Sequence, residues 1–374
     1  MIPNQHHIAA RVARVRSRMT RAGIDTLVVT HLPNLSYLTG FVGSAGVVIV
    51  SSRRCLLLVD FRYVTAANAL ASSVDGAFAV ETFEHSYDEA IVDVLRRQGA
   101  SRIGIEAMYL PVSRFNAMSA GLAATAPLPL HSDAGTPVLV PTERLVESAR
   151  VIKDEVEIAA LREGGRRLAR VAERVPDLVR EGRTEEEVAA DIEKALRAEG
   201  FSRLAFETIV ASGPNSALPH ARPTARVIRA GEPTVLDFGG VYDGYCVDLT
   251  RTVQLGTVSQ PLRDLYAAVA EAHRAALAAV RPGVASSTID AAAREVLERC
   301  GLGPAFGHGT GHGLGLEVHE DPRIARASAR LPDLVVEPGM VFTIEPGAYV
   351  PGVGGVRIED DVLVTETGCE VLTR

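Results

Sequence analysis

The sequence contains no tryptophan, few aromatic residues and only two lysines, Lys153 and Lys194, among its 39 basic residues. Its four cysteines are scattered and include no C-x-x-C pair. A disulfide framework or a zinc knuckle is therefore not expected. The cysteines are expected to be reduced, buried thiols. The net charge of −7 and the lack of a basic stripe with interleaved aromatics argue against nucleic acid as a partner.

Long apolar runs are also missing. No window approaches the roughly 18 uninterrupted apolar residues of a membrane span, and the N-terminal segment lacks the apolar core of a signal peptide. The hydrophobic content of 47% and the charged content of 23% are typical of a globular chain. These features predict a soluble, cytoplasmic protein with no membrane partner.

The length of 374 residues favours two domains, because a single core rarely grows this large. The first part of the chain alternates short β-branched apolar runs with helical patterns, which predicts an α/β domain over residues 1–135. Within it, the stretch 31–46 is predicted to form turns. Residues 136–152, at the end of a segment rich in proline and small residues, are predicted to be a linker.

The second domain is predicted over residues 153–374, where the pattern changes to a helix pair, strands, a second helix pair and further strands. The predicted helices are 153–173, 184–199, 261–280 and 287–299, and the predicted strands are 206–212, 234–241, 245–254, 340–346 and 356–365. This order predicts an internal duplication.

Two short matches support the duplication. The segment "GEPTVLDFG" aligns without a gap with "GMVFTIEPG", and "GYCVD" aligns with "GVRIE". Asp237 therefore corresponds to Glu345, and Asp248 corresponds to Glu359. Each half of the domain supplies two carboxylates on neighbouring strands.

Four converging carboxylates need positive charge among them, because like charges cannot all stay ionised side by side. Arg357 shares a strand face with Glu359 and Asp361, whereas Asp360 points the other way. Two divalent cations would supply more charge, and oxygen ligands with an imidazole suit Mn²⁺, Co²⁺, Fe²⁺ or Zn²⁺. Each acid taken alone also has an ordinary explanation as a turn-initiating or capping residue.

The segment "FGHGTGHGLGLEVHE", residues 306–320, combines three histidines with five glycines. Metal binding, a phosphate cradle and a flexible turn are the alternatives. The intervening "GTG" argues against a helix that would put His308 and His312 on one face, and the spacing matches no glycine-rich phosphate motif. A kinase interpretation of "DFG" fails because the accompanying kinase motifs are absent. A metal-ligand role for His312 is favoured.

At these motifs the chain resembles the pita-bread metallopeptidases, in particular the proline-specific branch of Xaa-Pro dipeptidase (prolidase) and aminopeptidase P. The resemblance is carried, in chain order, by "YLTGFVGSAG", "DFRY", "SGPNSALPHARPT", "LDFGGVYDGYCVDLTRTV", "HGTGHGLGLEVHE", "EPGMVFTIEPGAYV" and "GVRIEDDVLVT". It implies an α+β fold, in which a smaller N-terminal creatinase-like α/β domain precedes a C-terminal pita-bread catalytic domain with duplicated helix pairs and antiparallel strands.

The resemblance also implies a dinuclear metal site, with Asp237, Asp248, His312, Glu345 and Glu359 as its ligands. Two divalent ions are expected, with Mn²⁺ preferred and Co²⁺, Zn²⁺ or Fe²⁺ as alternatives. In such a site Glu345 would help to take the proton from a bridging water as it attacks. No ligand is missing, whereas creatinase-type relatives share the fold and lack the ligands.

Further site residues follow from the same resemblance. His220 and His319 are expected to flank the substrate and to donate hydrogen bonds near the scissile carbonyl. Arg357 and Tyr349 are expected at the pocket, orienting substrate or relaying charge, and His308 near the residue after the scissile bond. The alternatives are a surface-loop role for His220, a capping role for His319, charge neutralisation by Arg357 and simple packing of Tyr349.

The activity implied is hydrolysis of the Xaa-Pro bond of dipeptides, with aminopeptidase P activity on longer peptides as the alternative. The expected partners are a small peptide with proline second and a second copy of the chain in a homodimer. A non-peptidase relative or a non-catalytic binding module is disfavoured by the complete ligand set. The residues alone predict only a dinuclear hydrolase, and selectivity for proline comes from the resemblance.

Overall fold

The computed structural model describes residues 4–124, 137–328 and 333–374, and the chain divides into two units, Met1–Arg150 and Val151–Arg374. In the first unit the strands are β1 (Thr26–Val29), β2 (Val47–Ser51), β3 (Cys55–Val59), β4 (Ala79–Thr82), β5 (Arg102–Glu106) and β6 (Val138–Thr142). Its helices are α1 (Gln5–Arg21), α2 (Leu32–Thr39), α3 (Val64–Ser73), α4 (Tyr87–Arg97), α5 (Val112–Ala123) and α6 (Glu147–Arg150).

The six strands form one mixed sheet in the order β4-β3-β2-β1-β5-β6. β1 pairs antiparallel with β2 and parallel with β5, so the sheet combines a meander with α/β crossovers. The buried faces are continuous apolar runs, as in "TLVV" and "CLLLV", because helices cover the sheet. The predicted α/β architecture of this part of the chain is confirmed.

Two helices depart from the sequence prediction. The stretch 31–46, predicted to form turns, contains α2, which has Pro33 in its first turn and ends at Gly40 with a left-handed φ of 74°. Tyr37 and Leu38 on α2 are fully buried, so tertiary packing stabilises a helix too short to be obvious in the sequence. The patterns also did not predict α5, whose buried apolar residues are only Met118 and Leu122.

The predicted linker 136–152 also differs from the structure. Its residues 138–150 lie in the first unit, where β6 pairs parallel with β5 from Arg102↔Val138 to Glu106↔Thr142. The apolar run at the start of β6 thus completes an edge of the sheet. The same segment ends in α6, whose Arg150 is buried and donates from Nη1 to Asn34 Oδ1 at 2.6 Å.

The second unit begins with two helices, α7 (Glu155–Leu178) and α8 (Glu185–Ala198), each started by a capping box. The strands β7 (Arg203–Leu204), β8 (Ile209–Ser212), β9 (Pro233–Tyr242) and β10 (Tyr245–Gln254) follow, and then the helices α9 (Gln260–Ala279) and α10 (Ser286–Arg299). The last strands are β11 (Gly311–Gly313), β12 (Glu320–Ile324), β13 (Val341–Ile344), β14 (Gly347–Val350), β15 (Gly354–Arg357), β16 (Asp360–Val364) and β17 (Cys369–Val371).

These strands form one sheet in each half. β9 is flanked by β10 and β7 and also pairs with β8, while the second sheet has the order β12-β11-β13-β16-β17. β14 and β15 form a separate hairpin. The predicted strand 356–365 is therefore two strands, because the chain leaves its β14 partner after Arg357 and joins β13 from Asp360 onward.

The backbone repeats the duplication that the sequence predicts. Residues 182–200 align without a gap with 283–301, and the terminal glycines of both segments are left-handed, with φ between 72° and 89°. The β-bridge between Thr184 and Val227 in the first half recurs between Ala285 and Val335 in the second. Within the described parts of the chain, no helix is long and apolar enough to cross a membrane.

Candidate active site

Two aspartates lie on the long hairpin of β9 and β10. In its register Asp237 pairs with Thr250, and Gly239 pairs with Asp248. Because residues two apart on a strand share a face, Asp237 and Asp248 point to the same side of the hairpin.

Two glutamates lie just beyond the ends of their strands. Glu345 follows the last residue of β13, and its backbone amide donates to the Thr310 carbonyl at 2.7 Å. Glu359 lies between β15 and β16, with its amide donating to the Thr250 carbonyl at 3.1 Å. The Thr250 hydroxyl in turn donates to Glu359 Oε2 at 2.5 Å. These hydrogen bonds thus fix the backbone positions from which the Glu345 and Glu359 side chains extend.

The glycine-histidine segment places His312 on the short strand β11, and not on a helix. A Cβ atom at Gly311 would lie 1.9 Å from the Thr343 carbonyl oxygen, and one at Gly313 would lie 2.1 Å from that of Asp321. Neighbouring strands approach too closely there for any side chain. The two glycines are therefore required by strand packing, which holds His312 between them.

Three of the predicted ligands form a group that could hold a metal ion. One ligand atom from each of Asp248, His312 and Glu359 lies within 4.8 Å of the others. His312 Nε2 is 3.5 Å from Glu345 Oε1 and 3.9 Å from Asp248 Oδ2. These separations exceed hydrogen-bond length, so the atoms face each other without a direct bond.

Burial makes this group unfavourable as a set of free charges. Burial, with the charges of Glu359 and Asp237, raises the pKa of Asp248 well above its ordinary value. Burial, with Glu345 and Asp237, does the same to the pKa of Glu359. The pKa of Glu345 is raised to about 7 by burial, although Arg357 acts in the opposite direction.

The environment of His312 favours a neutral imidazole, the form in which histidine can bind a metal. Burial, followed by the neighbouring His319, lowers its pKa to about 3. Its Nδ1 lies 3.1 Å from the Gly313 carbonyl, which can only accept, so Nδ1 carries the hydrogen. The lone pair is then on Nε2, the atom that faces the carboxylates.

The donor set fits a divalent cation. Asp237 Oδ1 and Asp248 Oδ1 are buried and have no hydrogen-bond partner among the described residues. An unpaired buried carboxylate oxygen is costly, and a cation offsets that cost. Carboxylate oxygens with one imidazole nitrogen match the ligand preference of hard and intermediate divalent metals.

Arg357 connects one of the acids to other residues of the site. Its Nη2 pairs with Asp237 Oδ2, its Nε donates to the Thr250 hydroxyl at 3.1 Å, and its Nη1 donates to the Pro219 carbonyl at 3.1 Å and to Tyr349 Oη at 2.8 Å. Burial opposes the charge, but Asp237, Tyr349, Glu345 and Glu359 together outweigh it and raise the pKa of Arg357. The guanidinium is a fixed, charged group of the site.

His308 and Tyr349 continue this network. His308 Nδ1 lies 2.8 Å from the Gly309 carbonyl and so carries the hydrogen, while Nε2 accepts from Tyr349 Oη at 3.1 Å. Burial lowers the pKa of His308 to about 4 and raises that of Tyr349. Arg357, Tyr349 and His308 therefore form one directed hydrogen-bond chain.

The remaining predicted residues line the same cavity, whose volume is about 580 Å³. His319 packs edge-on against His312 with ring centroids 4.3 Å apart, and burial together with Arg323 lowers its pKa. His220 lines the cavity as an exposed side chain. Of the residues predicted for the site, only Tyr349 does not line the cavity, and it contacts the site through Arg357 and His308.

The sequence patterns did not single out Thr250, which bridges Arg357 and Glu359. Asp361, which strand alternation placed on the face of Glu359, accepts the Asp248 amide at 2.9 Å. Thr250 lies two residues after Asp248 and shares its strand face, so the alternation of side chains along a strand could have predicted its place beside the acids. Asp360 faces away from the acids and pairs with Arg251, as strand alternation predicts.

Comparison with known proteins agrees with this architecture. Residues 159–366 match the model described as metallopeptidase family M24, and residues 11–152 match the creatinase/prolidase N-terminal domain. The chain belongs to metallopeptidase family M24 and is a hydrolase. The predicted α+β fold, with a pita-bread domain after a creatinase-like domain, is confirmed.

Relatives match over almost the whole chain. An uncharacterised peptidase, YqhT, of Bacillus subtilis is 37% identical over 97% of both chains, and an Xaa-Pro dipeptidase of Pyrococcus horikoshii is 31% identical over the same share. A solved Xaa-Pro dipeptidase from Bacillus anthracis is 36% identical over 98% of both chains, with a TM-score of 0.90. An X-Pro aminopeptidase from Thermotoga maritima has a TM-score of 0.83 at 33% identity, over 96% of this chain and 97% of that one.

Proposed function

We propose that the protein hydrolyses the bond between an N-terminal residue and a following proline, with Xaa-Pro dipeptides as its first substrates. The observation that carries this proposal is the buried acid group with two unpaired oxygens, lining a cavity large enough for a small peptide. The names of the relatives supply the proline preference.

The metal ligands we propose are Asp237, Asp248, His312, Glu345 and Glu359, holding two divalent cations with Mn²⁺ preferred. Such cations supply Lewis-acid polarisation of a carbonyl and a lowered pKa for water. Proline has no amide hydrogen, so a peptidase that recognises that N–H handles the bond poorly. A site that polarises the carbonyl of the scissile bond does not need that N–H.

The side chains around the acids have distinct proposed roles. Glu345 accepts the proton of the attacking water at its carboxylate. His319 and His220 donate hydrogen bonds to the scissile carbonyl oxygen as negative charge develops on it. Because the pKa of His319 is lowered, it is a neutral donor with one N–H available. Arg357, held by Asp237 and Thr250, orients the substrate.

A dipeptide also carries a terminal carboxylate next to the scissile bond. Arg323 lines the cavity and acts on the pKa of both His312 and His319, so the cavity carries a positive charge near these two histidines. We propose that this charge favours free dipeptides. Aminopeptidase P activity on longer Xaa-Pro peptides is the second candidate, because one relative of high structural similarity has that name.

The test compares hydrolysis of Ala-Pro, Ala-Pro-amide, Ala-Pro-Ala and Ala-Ala by protein loaded with Mn²⁺. Ala-Pro is expected to be the best substrate, and Ala-Pro-amide to be poorer because its carboxylate is neutralised. Asp248→Asn is the inactive reference, and Asp264→Asn, at an exposed position on α9, is the matched control. Faster cleavage of Ala-Pro-Ala would transfer the assignment to aminopeptidase P. Cleavage of none by metal-loaded protein would contradict the proposal.

We further propose that the protein acts as a homodimer, as the resemblance implies. Light scattering on the eluting protein measures its mass directly, with 39.8 kDa expected for a monomer and twice that for a dimer.

A further inference from the structure

Asp290 and Arg294 lie one turn apart on α10 and are both buried, with 0% and 9% of their surface exposed. Neither belongs to the proposed ligands or lines the cavity. A buried ion pair stabilises a fold only when its remaining donors and acceptors are satisfied. The contacts of this pair indicate what it does.

Arg294 connects the helix to the glycine-histidine segment. Its Nε and Nη2 each donate to one Asp290 carboxylate oxygen at 2.9 Å. The same guanidinium donates to the Phe306 carbonyl at 3.1 Å and to the His308 carbonyl at 2.9 Å. Its central carbon also lies 4.2 Å from the centre of the Phe306 ring. The Arg294 side chain therefore holds the glycine-histidine segment at both Phe306 and His308.

Asp290 holds the next part of the segment. Its Oδ1 accepts from the Thr310 backbone amide at 3.1 Å and from the Thr310 hydroxyl at 2.9 Å. The Thr310 carbonyl accepts the Glu345 amide at 2.7 Å, and His312 follows two residues later. One carboxylate is thus connected through Thr310 to two of the proposed metal ligands.

An exposed ion pair at this spacing contributes little to the stability of a helix. Here the donors and acceptors of both side chains are directed at residues 306–310, outside the helix. Arginine suits this role because its planar fork can bind a carboxylate with two donors while the others reach carbonyls. Lysine has no such fork.

We propose that Asp290 and Arg294 form a positioning pair for the reaction, which fixes residues 306–312 so that His312 Nε2 and Glu345 face the aspartates and His308 faces Tyr349. This inference rests on the proposed function for its effect on catalysis. Its effect on metal binding is independent of the substrate.

The test uses Arg294→Lys, together with Thr310→Val and its conservative counterpart Thr310→Ser. Arg167 provides a matched control, because it also pairs with an acid four residues earlier (Glu163), donates to a backbone carbonyl (Glu199) and lies over an aromatic ring (Tyr242). Arg167→Lys therefore removes the same kinds of contact away from the segment. All four variants are first stripped of metal.

The first readout is the Mn²⁺ affinity of each metal-free variant by calorimetry, accompanied by the visible spectrum of the Co²⁺-loaded protein. Arg294→Lys and Thr310→Val are expected to bind Mn²⁺ at least about tenfold more weakly, as is usual when partners that orient metal ligands are lost. Their Co²⁺ spectra are expected to change. Thr310→Ser keeps the hydroxyl and is expected to restore the affinity, and Arg167→Lys to leave it within about twofold of the parent value.

The melting temperature separates positioning from general stability. If Arg294→Lys lowers it as Arg167→Lys does, while Mn²⁺ affinity and the Co²⁺ spectrum stay at parent values, the positioning role is wrong. Hydrolysis of Ala-Pro by the parent protein is measured in parallel. Weakened metal binding in the variants with no Ala-Pro hydrolysis by the parent would retain the positioning pair and reject the proposed function.

Discussion

Ala211 and His312 occupy equivalent places in the two halves of the second unit. In the first half β8 pairs Ile209 with Asp237, and in the second half the Thr310 carbonyl accepts the Glu345 amide, so Ile209 corresponds to Thr310. Two residues further along the chain, Ala211 of the first half has a methyl side chain, whereas His312 of the second half has an imidazole. The duplicated backbone supplies equivalent positions, and only one of the two carries a nitrogen that could bind a metal ion.

The acids also differ between the halves. Asp237 and Asp248 lie inside the long strands β9 and β10, whereas Glu345 and Glu359 lie just beyond the ends of β13 and β15. Glutamate is longer by one methylene group, so it can reach a common centre from a more distant backbone position. The pairing of residue type with strand position is consistent with one centre shared by two unequal halves.

A third difference concerns how each half holds its loop. In the first half the fully buried Glu185 accepts from the Ser212 amide at 2.7 Å and from the Thr224 hydroxyl at 2.6 Å, closing the loop that carries His220. In the second half an ion pair, Asp290 with Arg294, performs the equivalent task. The loop without a proposed metal ligand is held by neutral donors, and the loop with the proposed ligand His312 is held through a charged guanidinium.

The largest expected effect comes from removing one acid in each half, as Asp248→Asn and Glu359→Gln. Each is expected to weaken Mn²⁺ binding and to lower kcat/KM for Ala-Pro by at least about 100-fold, the upper range for residues that only support ligands. Calorimetry and initial rates measure both. If one of the two variants keeps the parent affinity, the halves do not share one centre.

A smaller effect is expected from Gly311→Ala, because its new methyl group would overlap the Thr343 carbonyl. The free energy of unfolding should fall by about 1–3 kcal/mol, as is usual for overpacking. Gly307→Ala is the control, since no atom of the described residues lies within 4 Å of its Cβ position. Urea denaturation of both metal-free variants gives the comparison. Equal stability of the two would show that β11 can shift away from β13.

The two loop anchors are expected to separate in their effects. Glu185→Gln should destabilise the fold by about 2 kcal/mol, because charge-assisted hydrogen bonds are lost, and should lower kcat/KM for Ala-Pro through displacement of His220. Its Mn²⁺ affinity should stay at the parent value, whereas Asp290→Asn should weaken it. If Glu185→Gln and Asp290→Asn weaken Mn²⁺ binding equally, the two loop anchors do not differ in their effect on the metal site.

The last prediction concerns the pH dependence of Mn²⁺ affinity. Burial raises the pKa of Glu345 to about 7 and raises those of Asp248 and Glu359 well above their ordinary values, so metal binding must release protons from this group. Mn²⁺ affinity should therefore rise with pH between about 5.5 and 8, by up to about tenfold per pH unit for each proton released. His312, with a pKa of about 3, is already neutral there. Calorimetry from pH 5.5 to 8 measures this, and a flat profile would contradict it.

Much of the site follows from local sequence. Asp237 and Glu345 each end an apolar run in matching nine-residue segments, and that repetition alone predicts paired carboxylates. Elements with a strong period, such as α7 and α8, were also predictable. The helices α2 and α5 were not, because their stability comes from buried faces that are too short to show a period.

The sequence by itself determined which residue types recur at which spacing, and hence the acids, the glycine-histidine segment and the two-domain order. Only the tertiary structure decided which partner each side chain has. Thr250 reaches Glu359 across 109 positions, and Arg357 reaches Asp237 across 120. The raised pKa of Glu345 and the unpaired oxygen of Asp248 arise from burial among such distant groups. Burial depends on the packing of the whole unit, which no local pattern contains.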